Sequence, residues 1–179
     1  KVYSPGTKNE LTKVSDFLLK DSGPAFIRLG KIPDFDYELD KVDINKGSII
    51  TKGTEIIIFS IGNIIEEVHK AVIMLSKKGF SIKLVSLVSI KPLINQDIID
   101  HIDKAEHIFT VEENSIIGGL GSYVAEVLSE SNLQKIKFNR IGVSDEVHSE
   151  IGSQDYLRTI KGLGHNQISD IIEKSVSKK

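Results

Sequence analysis

One stretch, HIFTVEENSIIGGLGSYVAEVLSE (residues 107–130), constrains the fold more than any other. His107 to Val111 is a run of β-branched and aromatic residues and predicts a strand. Glu112 to Ile117 interrupts that run with charge and amide. Gly118, Gly119 and Gly121 then open a helix whose apolar residues, Leu120, Val124, Val127 and Leu128, recur at helical spacing. A strand, a glycine-rich turn and a helix form half of a βαβ unit, and more such halves lie on either side.

Residues 2–4 end a short strand at Pro5-Gly6. Thr7 or Asn9 caps a helix with Leu11, Val14, Leu18 and Leu19 on one face. A second short strand, Ala25 to Leu29, leads to Gly30-Lys31. Such a strand–helix–strand needs a larger sheet to bury both its faces. Residues 34–52 are dense in charge with scattered apolar positions and are expected to form a linker, with at most one hairpin turning at Lys46-Gly47. From Gly53 the order is regular. Residues 55–60 form a near-continuous apolar run, as in a buried parallel strand. A helix over 64–78 turns Ile65, Val68, Val72 and Leu75 inward and stops at Gly79. A strand over 81–87 follows, then a helix over 96–102 with Asn95 as its cap, and a strand over 135–141. The last helix is capped by Asn166 and places Ile168, Ile171, Ile172 and Val176 on one face. Alternating strands and helices with crossover connections predict an α/β fold: a three-layer, open, mostly parallel sheet with helices on both faces.

Composition excludes several function classes. Across 179 residues, 23 Lys and Arg nearly balance 25 Asp and Glu, so no basic field argues for nucleic acid. Cysteine is absent, which removes disulfides, thiolate catalysis and cysteine-ligated metal. No apolar run approaches the roughly 20 residues of a membrane span.

Three groups of residues are chemical candidates. Successive amides at Gly118–Gly121 either bind an anion at the helix N-terminus or let helix and strand pack closely. The run lacks the full dinucleotide fingerprint, which favours packing. Glu112 and Glu113 end a parallel strand, where one of them would face a ligand crevice. The favoured expectation is that one caps a turn and the other is solvated. Histidines at 69, 101, 107, 148 and 165 have no metal-ligand spacing. Asp145, Glu146, His148 and Glu150 cluster in a segment that reads as a charged loop. Residue by residue, the chain contains no self-sufficient active site, and no catalytic or metal-binding residue is assigned.

Seven segments, taken in order, carry a resemblance. They are GPAFIRLGK (23–31), IFSIGN (58–63), A-x-x-x-L-x-x-x-G (71–79), SIKPL (89–93), TVEENSIIGGLGSYVAEVL (110–128), IGVSDEV (141–147) and GLG (162–164). Their order and spacing resemble the C-terminal part of transketolase-like thiamine-diphosphate enzymes. The resemblance implies that residues 1–33 are the terminal strand–helix–strand of a pyrimidine-binding domain. It makes 34–52 a linker and 53–179 the transketolase C-terminal domain, a mixed sheet of about five strands. It implies a structural, dimer-supporting piece of a cytoplasmic homodimer of the pentose phosphate pathway, which transfers two-carbon ketol units between sugar phosphates. Its partners would be the remaining domains or subunit of the same enzyme, with no nucleic acid or membrane. Thiamine diphosphate and Mg²⁺ would belong to the full-length enzyme, with no cofactor in this stretch. In transketolases, the position two after the leucine of a segment like FIRLG-x is usually an arginine that contacts the substrate phosphate. That position here is Lys31, which keeps the charge and loses the bidentate fork. The alternatives are the equivalent part of a deoxyxylulose-phosphate synthase or of a 2-oxoacid dehydrogenase β subunit, and a non-catalytic protein-interaction module.

Overall fold

The computed structural model describes residues 1–31, 35–102, 105–131, 133, 135–146 and 149–177. Its main body is a five-stranded sheet. β3 (Ser48–Thr51), β4 (Ile56–Ile61), β5 (Ile82–Leu87), β7 (His107–Ser115) and β8 (Lys137–Val143) lie in the spatial order β3-β5-β4-β7-β8. β4, β5, β7 and β8 run parallel, and β3 runs antiparallel on the β5 edge. The central strand β4 is buried at every residue, as its unbroken apolar sequence requires. Ile58 sits between Leu84 on one side and Phe109 on the other.

Helices cover both faces. Ile56, Ile58, Leu84, Phe109 and Val111 pack against Val68, Val72 and Leu75 of α2 (Ile65–Lys77) and against Ile168 and Ile172 of α6 (His165–Ser177). On the other face, Ile57, Phe59, Val85 and Ile108 meet Ile98 of α3 (Asn95–His101) and Val124 and Val127 of α4 (Leu120–Glu130). Strand alternation sends successive residues to opposite layers. The predicted three-layer α/β fold is therefore the observed one.

A second, three-stranded sheet joins the N-terminal residues to this body. β1 (Val2–Tyr3) pairs parallel with β2 (Phe26–Ile27) and antiparallel with β6 (Ser89–Lys91). α1 (Lys8–Leu18) starts on a capping box in which Thr7 and Glu10 satisfy each other's end of the helix. Glu10 is fully buried. Besides Thr7, its carboxylate accepts from the Gly6 amide and from the hydroxyls of Tyr37 and Ser86. It thereby ties α1 to the large sheet.

Several elements differ from the sequence expectation. Ser48–Thr51 lies within the stretch expected as linker, yet it forms the edge strand of the large sheet. Four residues at an edge bury one face only, so they carry no continuous apolar run. Ser89–Lys91 is a strand of the small sheet, not merely a lead-in to α3. α3 begins at Asn95, preceded by Ile94, and the Asn95 side chain accepts from the Tyr123 hydroxyl instead of capping the helix. A further helix, α5 (Gln154–Ile160), occupies a stretch where no element was predicted. Leu19, expected on the inner face of α1, is 85% exposed.

Candidate functional site

β4 connects to β5 on one side, and the chain then crosses over to β7 on the other. The carboxyl ends of β4 and β7 therefore form a topological switch point, where open α/β sheets hold ligands. A cavity of about 530 Å³ lies close by, lined by Lys31, Glu67, Lys70, Arg158, His165 and Asn166 among others. Three helices and the exit of β2 build it. α2 contributes Glu67 and Lys70, α5 contributes Arg158, and α6 opens at His165.

Most of its charges are paired within the wall. Glu67 accepts from the His165 backbone amide at 2.9 Å and contacts His165 Nδ1 at 2.7 Å. Lys70 bridges Glu67 at 2.9 Å and Glu66 at 2.8 Å. Burial alone would raise the Glu67 carboxyl, but the hydrogen bonds from Lys70 and His165 outweigh it and hold it down at about 2. Arg158 is 6% exposed and donates from Nε and Nη2 to the two carboxylate oxygens of Glu113, at 3.2 and 2.9 Å. Gln154 donates to the same carboxylate. Lys31 differs from these cations. It is exposed, and among the described residues no carboxylate pairs with its amine. Its backbone carbonyl accepts from Asn63 Nδ2 at 3.1 Å.

The glycine-rich turn answers the question left open by its sequence. Glu112, 1% exposed, accepts from the amides of Leu120 and Gly121 at 3.0 and 2.9 Å. The N-terminus of α4 thus already holds an anion, and that anion belongs to the chain. Burial pushes the Glu112 carboxyl up, and the two amides act against it. Gly119 is needed for this contact, because a Cβ there would lie 2.0 Å from Glu112 Oε2. Of the adjacent glutamates, Glu112 caps as expected. Glu113 is clamped by Arg158 and Gln154 and is only partly exposed, where a freely solvated carboxylate was expected.

The remaining candidates do not converge. His101 contacts the Lys46 carbonyl at 2.8 Å, His69 stacks on Phe35, and His107 lies buried at the start of β7. Glu150 pairs with Lys161, and Asp145 lies at 3.5 Å from the Ser115 hydroxyl. His148 falls outside the described residues. Among the described residues, no three His, Asp or Glu side chains are grouped to hold a metal. Glu112 occupies the Leu120 and Gly121 amides at the start of α4. Sequence reasoning missed Arg158, Gln154 and Asn63. The one local signal was Ser153, an N-cap that accepts from the Tyr156 amide, followed by Tyr156, Leu157 and Ile160 at helical spacing.

Residues 45–168 match the family model of the transketolase C-terminal domain. The chain belongs to that family. It is similar to one of the subunits of the apulose-4-phosphate transketolase of Actinobacillus succinogenes, with 30% identity over 95% of this chain and 55% of the relative. It is also similar to 1-deoxy-D-xylulose-5-phosphate synthase of Halothermothrix orenii, with 28% identity over 99% of this chain and 28% of that protein. A solved split-gene transketolase, an inactive β4 tetramer, superposes with a TM-score of 0.85 at 26% identity, covering 97% of this chain and 56% of that one. The chain thus spans about half the length of the transketolase relatives. Those relatives are named as a transketolase subunit, a putative transketolase C-terminal section and a split-gene transketolase. Among the described residues, no helix is long and apolar enough to cross a membrane.

Proposed function

We propose that this chain is the C-terminal part of a thiamine-diphosphate enzyme that transfers two-carbon ketol units between sugar phosphates. In this proposal residues 1–33 complete a pyrimidine-binding domain, and the part from 53 onward supports the assembly without supplying catalytic groups. The rest of the enzyme brings thiamine diphosphate and Mg²⁺, and the whole works as a cytoplasmic homodimer in the pentose phosphate pathway. The observation that carries this is the transketolase match over nearly the whole chain. The small sheet adds support. Leu19, Phe26 and Leu29 are 85%, 62% and 55% exposed, and a covering domain would bury that apolar surface. Lys31 follows the same sheet and offers a substrate phosphate a cation that no carboxylate among the described residues pairs.

A deoxyxylulose-phosphate synthase is the second reading, favoured by the similarity to the Halothermothrix orenii protein. The two enzymes differ in donor, a ketose phosphate against a 2-oxoacid.

Lys31 supplies the test of the phosphate role. A charge-assisted contact contributes roughly 1.5–3 kcal/mol. In the assembled enzyme, Lys31→Ala should lower kcat/KM for a phosphorylated acceptor by about 10- to 100-fold. Lys31→Arg should keep or raise activity, because the planar fork suits phosphate. An unphosphorylated acceptor should be nearly indifferent to both. Equal losses on both acceptors, or no loss on either, would remove Lys31 from the phosphate site.

A further inference from the structure

Lys31 lies four residues beyond the end of β2, and a short exposed loop does not hold a long side chain in one place by itself. The structure supplies a support from the other part of the chain. Residues Gly62–Ile64 form a single 3-10 turn between β4 and α2, at the switch point of the large sheet. Asn63, in the middle of that turn, is 8% exposed. Its Nδ2 donates to the Lys31 carbonyl at 3.1 Å. It also packs directly under the preceding residue, since a Cβ on Gly30 would lie 2.7 Å from Asn63 Nδ2. Gly6 meets the Gly62 carbonyl along the same turn. The place where such a sheet ordinarily holds a ligand therefore holds the loop that carries Lys31.

We propose that Asn63 is a positioning residue: it seats the Gly30-Lys31 loop on the switch-point turn and so aims Lys31 at the phosphate of an aldose-phosphate substrate. The C-terminal domain then acts on substrate selection through Lys31. This rests on the phosphate role given to Lys31 above. Asn63→Ala removes the donor and opens space beside Gly30. Asn63→Asp keeps the shape and sets an acceptor against the Lys31 carbonyl, so it should act in the same direction.

The test is a double-mutant cycle in the assembled enzyme, with glyceraldehyde 3-phosphate and glyceraldehyde as acceptors. Asn63→Ala should lower kcat/KM for the phosphorylated acceptor by about fivefold, mainly through KM, and should leave the unphosphorylated one within about twofold. In the Lys31→Ala background, the same substitution should add nothing. Lys31→Ala alone is the control on the phosphate role. Selective loss in Lys31→Ala, with selective and non-additive loss in Asn63→Ala and Asn63→Asp, supports the inference. Selective loss in Lys31→Ala with equal losses on both acceptors from Asn63→Ala would make Asn63 merely structural and overturn it. Full additivity of the two substitutions would overturn it as well. If Lys31→Ala is itself silent, the phosphate role fails and the inference falls with it.

Discussion

Adjacent residues of a strand face opposite sides of the sheet, so Glu112 and Glu113 have separate fates. Glu112 turns under the α4 N-terminus, and Glu113 turns toward Arg158. The sequence makes the first fate readable, because the acceptor and the amides lie 8 and 9 residues apart on one strand–turn–helix. The second is not readable, because Arg158 is 45 residues away on a helix that the pattern did not reveal. Glu112→Ala would leave two buried amides without an acceptor and should cost about 2–4 kcal/mol in urea unfolding. Glu112→Gln keeps one acceptor and should lose less. A loss under about 0.5 kcal/mol for Glu112→Ala would mean that water replaces the carboxylate. Glu67 gives a pH dependence. Its carboxyl is held at about 2, below the ordinary 4.5, so the folded protein binds its proton more weakly than the unfolded chain does. Its contribution to stability is present above about 4.5 and lost as pH falls toward 2. The stability gap between wild type and Glu67→Gln should close across that window. A gap that stays constant through it would contradict the hydrogen bonds assigned to Lys70 and His165.

Long periodic elements are the legible ones. α2 and β4 bury the residues that their patterns pointed to, because each spans enough turns or alternations to define a face. Short elements escape. β3 has four residues at a sheet edge, and α5 has seven residues in a charged segment, so neither accumulates a period. The candidate site brings α2 together with α5, α6 and the Lys31 loop, which are distant in sequence, and that is why its wall was less visible than its scaffold. The stretch before β3 remains the place for early proteolysis, but its lysines are not equivalent. The Lys46 carbonyl is contacted by His101, and its amide is held by Asp43. Lys41 is exposed at the end of a single 3-10 turn. Limited trypsin digestion should therefore cut after Lys41 before Lys46. First cuts at Lys77 or Lys83 would contradict this order.

At the scale of the whole molecule, two layers of helix around a mixed five-stranded sheet make a self-contained core, while the small sheet leaves Phe26 and Leu29 uncovered. The seven sequence segments led to the transketolase C-terminal fold because their order tracks the order of strands, turns and helix ends across both sheets. They carry less about chemistry, since the charges around the cavity come together only in three dimensions. The central claim is that this chain serves an enzyme of two-carbon ketol transfer. The most direct test follows product formation by the assembled enzyme, with thiamine diphosphate and Mg²⁺ supplied, from an aldose phosphate and either a ketose phosphate or pyruvate as donor. The account predicts transfer from the ketose phosphate and none from pyruvate. Turnover of pyruvate alone, with the ketose phosphate left intact, would contradict it.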